Sequence, residues 1–372
     1  MVGMGYDTAK LPPCGRPRLF GRRGLVVAFM VVFAVLTAGC QAVPVTRAAT
    51  SSGTPGHVFI INLENQGFDK VFGPSSPAPY LSGELRSRGM LLTNYYGIAH
   101  DSLPNYLAQI SGQRPNASTV KDCHTFSPFT PSGTDSQGLL LGDGCVYPPE
   151  VPTVAGQLSG AGKTWKGYME DMQSPCLHPA LGVPDDHRTA SPGDQYSTHH
   201  DPFVYFRSIT DSPDCAKNVV NYTALAKDLT TVGTTPNLSY ITPNLCHDAH
   251  DNPCADGTAG GLAAADTWLK SQVPAILDSP AFKQDGMLII TLDEADNGRA
   301  GPPNGVAGGT AGGQVGALIL SPFSAQGGTS DHPYNHYSLL ASIEDFFGLP
   351  HLAGAAETGV ASFGPDVYEA HP

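Results

Sequence analysis

The stretch HVFIINLEN (57–65) decides how this chain is read. Seven residues of it are apolar or strand-compatible with no two-residue alternation, and the run stops abruptly at Glu64-Asn65. A strand with one wet face would alternate; a continuous apolar run belongs to a strand buried on both faces, the pattern of a parallel sheet covered by helices. GMLIITLDEA (286–295) repeats the pattern and stops at Asp293-Glu294, and LSYITPN (238–244) and QVGALILSPF (314–323) are similar. Between these runs lie helix-period segments: PNYLAQIS (104–111), AADTWLKSQVPAILDS (264–279) and HYSLLASIEDFFG (336–348). The alternation predicts an α/β fold, a central and mostly parallel sheet with helices on both faces. In such sheets ligands gather beyond the strand C-termini, where these acids and amides fall.

Working outward, the first forty residues stand apart. RPRLFGRRG (16–24) is a basic leader and LVVAFMVVFAVL (25–36) is an apolar run too short to span a bilayer comfortably. TAGC (37–40) has the form of a lipobox, with Leu36 one place earlier than the usual leucine. Residues 1–40 are therefore read as a signal peptide of lipoprotein type, lipidated at Cys40, with ordinary cleavage slightly later as the alternative. Arg22-Arg23 also has the look of a twin-arginine signal. AVPVTRAATSSGTPG (42–56) lacks any period, so residues 41–56 are read as a linker and 57–372 as one domain. The expected location is outside the cytoplasm, either lipid-anchored to a membrane or secreted. The oligomeric state is not readable.

Residues 1–40 hold five basic residues and one acidic one, so their removal takes the formal charge from −13 to −17. A nucleic-acid binder needs a basic footprint, and none is present. An acidic chain can still handle an anionic substrate if a bound cation supplies positive charge. Of the eight cysteines, Cys123, Cys145, Cys176, Cys215, Cys246 and Cys254 lie in the domain. In an exported chain an even set points to disulfides, with sequential pairing as the expectation and a zinc site as the alternative. Segments 113–160 and 172–236 are rich in Pro, Ser, Asp and Gly, carry four of these cysteines, and read as stapled insertions roofing the site. NGRAGPPNGVAGGTAGGQ (297–314) is low-complexity and reads as a mobile loop, as much a passive surface segment as a lid.

Five polar clusters and one helix start carry the candidate chemistry. Glu64 and Asn65 supply the carboxylate and amide oxygens that hard cations take, or simply begin a turn. Asp293-Glu294 follows MLIIT and is either an ion site or a solvated turn. NLCHDAHDNPC (244–254) packs Asn244, His247, Asp248, His250 and Asp251 between two cysteines, a set that suits a metal or a phosphate. STHHDPFVYF (197–206) offers His199 and His200, and His336 precedes the last helix pattern. HDSLPNYLAQISG (100–112) places Ser102 at a helix start, where a serine is either a cap or a nucleophile at the favoured end of a helix dipole for an anion.

Taken in order, these pieces resemble the phosphoesterase family of bacterial acid phosphatases and phospholipases C, a branch of the alkaline phosphatase superfamily. ENQGFDKVFG resembles the family's ENRSFDHYFG-like opening, and SLPNYLAQISG its nucleophile turn. HHDPFVYF resembles an HNPFVYF-like segment, and CHDAHD an NDxHD-type run. TLDEADNG is similar to the T-(Y/W)-D-(D/E) acid pair, and NHYSLLASIEDFFGLP to the DHTSLLRTIE-FGLP ending. The resemblance implies a metal-dependent phosphate ester hydrolase working through a phosphoserine. It implies Ser102 as nucleophile and Glu64, Asn65, Ser102, Asp293 and Glu294 as ligands of a divalent cation. It implies Asn105 on a phosphoryl oxygen, His199 and His200 around the phosphate, and His250 and His336 in acid–base work. Superfamily members with two zinc ions have an Asp and a His where this chain has Asn244 and Asp248, which favours a single cation. Many phospholipases of the family carry His-Gly-Gly after the acid pair; here Ala295, Asp296 and Asn297 stand instead, which weakens that reading. Two alternatives remain: a phospholipase C releasing phosphorylated head groups, and a non-catalytic surface-binding protein on the same fold.

Overall fold

The computed structural model describes residues 53–135, 139–295 and 312–369. The signal segment, most of the linker and most of the 297–314 loop lie outside the described residues.

The main sheet has eight strands. In chain order they are β1 (His57–Leu63), β2 (Met90–Leu92), β3 (Trp165–Met169), β4 (Val219–Asn221), β5 (Leu238–Thr242), β6 (Gly286–Leu292), β7 (Ala317–Leu320) and β8 (Thr329–Ser330). Across the sheet the order is β8-β2-β7-β6-β1-β5-β3-β4. β1 is central, parallel to both β5 and β6, in register Ile60 with Tyr240 and with Ile289. β7 runs antiparallel to both β6 and β2, and the remaining pairs are parallel. Every residue of β1, β5 and β6 is buried, as continuous apolar runs require. The α/β expectation therefore holds for this chain.

Three helices frame the site: α1 (Ser102–Ser111), α2 (Gly261–Asp278) and α3 (His336–Phe347). All ten residues of α1 are buried. It ends at Gly112, whose φ of 68° is left-handed, and a β-carbon there would meet the Leu352 carbonyl oxygen at 2.5 Å. α3 is capped by Asn335, whose side chain accepts from the Tyr337 and Ser338 amides. α2 continues through Pro274, which lacks the hydrogen-bonding N–H of its turn.

The three disulfides pair sequentially: Cys123–Cys145, Cys176–Cys215 and Cys246–Cys254. The insertion reading needs one correction. Segment 172–236 is not all roof, because it contributes β4 to the edge of the main sheet. β4 is three residues long, too short for its periodicity to stand out. Among the described residues, no helix is long and apolar enough to cross a membrane.

Candidate active site

The strand C-termini bring the polar clusters together. The end of β1 delivers Glu64, the end of β6 delivers Asp293 and Glu294, and the loop after β5 delivers Asp248. The loop after β2 leads into α1, whose first residue is Ser102. Ser102 Oγ donates to Glu64 Oε2 at 2.8 Å. Glu64 Oε1 accepts the Tyr106 hydroxyl, one turn along α1. The Tyr106 ring stacks on His200, with centroids 5.3 Å apart and an interplanar angle of 4°.

His200 completes a buried group with Glu64 and Asp248. The ligand atoms of these three residues lie within 4.8 Å of one another. His200 Nδ1 lies 3.1 Å from Asp248 Oδ2, and Nε2 lies 3.5 Å from Glu64 Oε2. Burial, then the charges of Asp293 and Asp248, pushes the Glu64 carboxyl well above its usual range. Burial likewise raises Asp248 and Asp293. His200 is held well below its usual value by burial, then by His199 and His250. His200 Nε2 and Asp293 Oδ2 are both buried without a hydrogen bond.

A neutral imidazole among three crowded carboxylates is a poor arrangement by itself. A divalent cation would take the orphaned His200 nitrogen and offset the carboxylate repulsion. The mixed imidazole and carboxylate donors suit such an ion. The residues present therefore fit a metal, though with a different donor set from the expected one. Glu64 is common to both, while His200 and Asp248 join it.

The other expected residues fall into four groups. Asp293 and Glu294 sit at the site. Asp293 Oδ1 accepts the Asn65 amide at 3.0 Å, and Glu294 pairs with His100. Asn65 is placed differently from expectation: its side chain is exposed, and its left-handed backbone (φ 58°) turns its amide toward Asp293. His199 and His250 flank His200, with ring centroids 4.3 and 5.8 Å away. Burial, followed by the charges of Arg188, His250 and His124, lowers His199 to about 3. His250 is exposed, its Nδ1 is 2.8 Å from Asp251 Oδ1, and its amide donates to Asp248 Oδ1.

Two residues hold posts other than those expected. Asn105 Oδ1 accepts the Ile98 and Ala99 amides, and its Nδ2 donates to the Ala99 and Asp101 carbonyls. Its amide group is fully occupied in shaping the loop before Ser102, so it has no donor for a phosphoryl oxygen. His336 is fully buried. Its Nε2–H donates to the Asp293 carbonyl at 2.6 Å, and its Nδ1 faces the Tyr95 hydroxyl and the Gln109 amide. Burial lowers it to about 4, so it stays neutral and holds the Asp293 backbone instead of moving a proton. The helix end is also less open than the sequence implies: Leu103 N–H donates to Asp122, and Pro104 has no N–H.

Sequence reasoning did not assign Tyr106 and Arg188 to the site, and it named Asp248 only as one of a His/Asp set suited to a metal or a phosphate. Asp248 was visible within NLCHDAHD but not separable from its neighbours. Tyr106 and Ser102 share a face of α1 at a spacing of four, which was a readable signal. Arg188 carries no sequence signal. It stands one residue after His187, whose carbonyl accepts from Thr198 in the His199-His200 segment.

The Phosphoesterase family model matches residues 77–350. The chain belongs to the phosphoesterase family. Among relatives of this phosphoesterase, a phosphate-repressible acid phosphatase of Penicillium chrysogenum is 30% identical over 85% of this chain and 65% of its own length. A phosphatidylinositol-3-phosphatase of Mycobacterium tuberculosis is 26% identical over 95% of both chains. The chain spans 50–65% of the length of three fungal relatives that it matches. Among solved structures, a Vibrio parahaemolyticus protein of the alkaline phosphatase superfamily overlays with a TM-score of 0.50 at 13% identity. That overlay covers 82% of this chain and 71% of the other, and it shows a shared fold.

Proposed function

We propose that this phosphoesterase hydrolyses phosphate monoesters in the manner of an acid phosphatase, through a phosphoserine at Ser102 and with one divalent cation. The observation that carries the reading is the Ser102 Oγ–H donated to Glu64 Oε2 within the buried cluster. Glu64, His200 and Asp248 would hold the cation, with Asp293 and Glu294 beside them. Bound there, such an ion lowers the pKa of a serine hydroxyl and offsets charge on phosphoryl oxygens.

The chain's own residues do the rest. Glu64 orients the Ser102 hydroxyl and accepts its proton as Oγ attacks phosphorus. The bond from phosphorus to the alcohol oxygen breaks, and His250, steadied by Asp251, gives that oxygen a proton. His199, neutral and buried, contacts the phosphoryl group. Water then attacks phosphoserine and gives a proton to His250, the bond from phosphorus to Oγ breaks, and Ser102 regains its proton from Glu64 as phosphate leaves. Asn105 and His336 act as positioning residues, the first for the loop before Ser102 and the second for Asp293.

Four of the curated relatives are named acid phosphatases, and this supports the reaction class. The relative matched along nearly its whole length is named for removing a phosphate from an inositol lipid, which favours monoester over phospholipase C chemistry. An exported location fits three disulfides. The test is Ser102→Ala. Turnover of p-nitrophenyl phosphate should fall by at least about 10³-fold with the melting temperature little changed. Retained turnover would overturn the nucleophile assignment.

A further inference from the structure

The catalytic cluster accounts for the phosphoryl group and leaves the alcohol half of the ester without a described seat. A cavity of about 550 Å³, within the range of small-molecule sites, borders the loop that leads into the nucleophile helix. Asp101, the residue before Ser102, forms one wall. Lys121 and His124 form another, either side of Asp122, whose carboxylate holds Leu103 N–H of the nucleophile helix. Ser118, Thr125, Ser127 and Asp143 complete the polar lining. The Cys123–Cys145 disulfide staples this wall, and Asp143 Oδ1 accepts the Ser118 amide at 2.9 Å.

This lining has a definite chemistry. Carboxylates accept hydroxyl protons, a lysine donates to hydroxyl oxygens, and serines do both. Charges of both signs are present, so the lining does not select a strongly charged leaving group of either sign. Large apolar side chains are absent from the wall. A more apolar cavity of about 280 Å³, lined by Leu139, Leu140, Val151 and Pro152, lies with Gln113, past the far end of α1. Ten helical residues put it about 15 Å from Ser102. An acyl chain joined directly to the reacting phosphate would meet polar groups where it needs apolar contact.

We propose that the cavity bordering the loop before Ser102 seats a polyhydroxylated alcohol, so that the preferred substrates are phosphate esters of sugars or cyclitols. The inference rests on the phosphate-ester reading above, and its test is kept independent of turnover. The protein used is full-length Ser102→Ala, titrated calorimetrically with glucose 6-phosphate and with n-hexyl phosphate. The sugar ester should bind at least about tenfold tighter, because a site built for hydroxyls is left unpaired by an alkyl chain. Lys121→Met, at an exposed position, should cut that ratio to threefold or less; Asp143→Asn provides a second variant with the capping oxygen retained. Equal or tighter binding of the hexyl ester overturns the proposal, as does a ratio unmoved by both variants. Sedimentation with vesicles containing a phosphorylated inositol lipid, beside free inositol phosphate, separates a lipid head group from a soluble ester. Preference for either over the hexyl ester supports the cavity's role. Absence of p-nitrophenyl phosphate turnover by the wild-type chain would instead strike at the reaction and leave the binding ratio standing.

Discussion

Two buried polar regions lie along one face of α1, and they are built to opposite rules. Beneath the helix, Gln109 exchanges two 3.0 Å hydrogen bonds with Asn62 of β1. Gln109 Oε1 also accepts the Tyr240 hydroxyl from β5, and Nε2 faces His336 of α3. Every donor and acceptor of that amide has a partner. At the N-terminal end, Glu64, His200, Asp248 and Asp293 crowd together, with His200 Nε2 and Asp293 Oδ2 buried without hydrogen bonds. The satisfied network fixes where α1 sits relative to three elements. The unsatisfied cluster is where binding energy is still to be gained, and Ser102 points into it. A protein tolerates such frustration where a ligand relieves it.

Breaking the cluster should affect activity most. His200→Ala or Asp248→Ala should lower kcat/KM for p-nitrophenyl phosphate by at least about 10²-fold. The sharper contrast lies in stability. In chelator-treated protein, Asp248→Asn should melt no lower than wild type, because it removes one of three repelling buried acids. A marked loss of stability would mean that the acids already balance one another and need no ion.

Breaking the floor should do the reverse. Gln109→Leu leaves Asn62, Tyr240 and His336 with lost partners, so denaturant unfolding should show a loss of about 2–4 kcal/mol. Activity should fall only as far as α1 shifts. Equal stability would show that the network is dispensable.

The smallest effect lies at Glu344 on α3, a fully buried acid whose Oε1 accepts the Leu352 amide while Oε2 has no hydrogen bond. Burial raises it from 4.5 to about 9. Its folded form keeps a proton that the unfolded chain releases, so its stabilising contribution is complete below pH 4.5 and is lost as the pH climbs through 9. Glu344→Gln should therefore match wild type at about pH 4 and melt progressively higher than wild type as the pH rises toward about 8, read from melting curves.

Much of this was legible in the sequence, for definite reasons. β1 and β6 declared themselves because strands buried on both faces are dominated by apolar runs, and their acids come only where they end. The end is the site, so Glu64 and Asp293 were marked by position. Ser102 was readable because a helix start has few acceptable residues. β4 was not legible, since three edge residues have no period. His336 could be placed at a helix start but not aimed, because its direction depends on Gln109 and Tyr95, distant in sequence. Asn105 failed for a local reason: sequence cannot say that the short loop before Ser102 will absorb all its hydrogen bonds. Asp248 needed the position of β5 beside β1 before it could be separated from its neighbours in the same run.

The central claim is tested most directly by trapping the covalent intermediate. The wild-type chain is mixed with p-nitrophenyl phosphate, quenched in acid within milliseconds, digested, and read by mass spectrometry. A phosphoserine mechanism predicts one added phosphoryl group on the peptide carrying Ser102, absent from Ser102→Ala. Rapid turnover with Ser102 unmodified at every quench time, and phosphate instead on a histidine or on no residue, would contradict it.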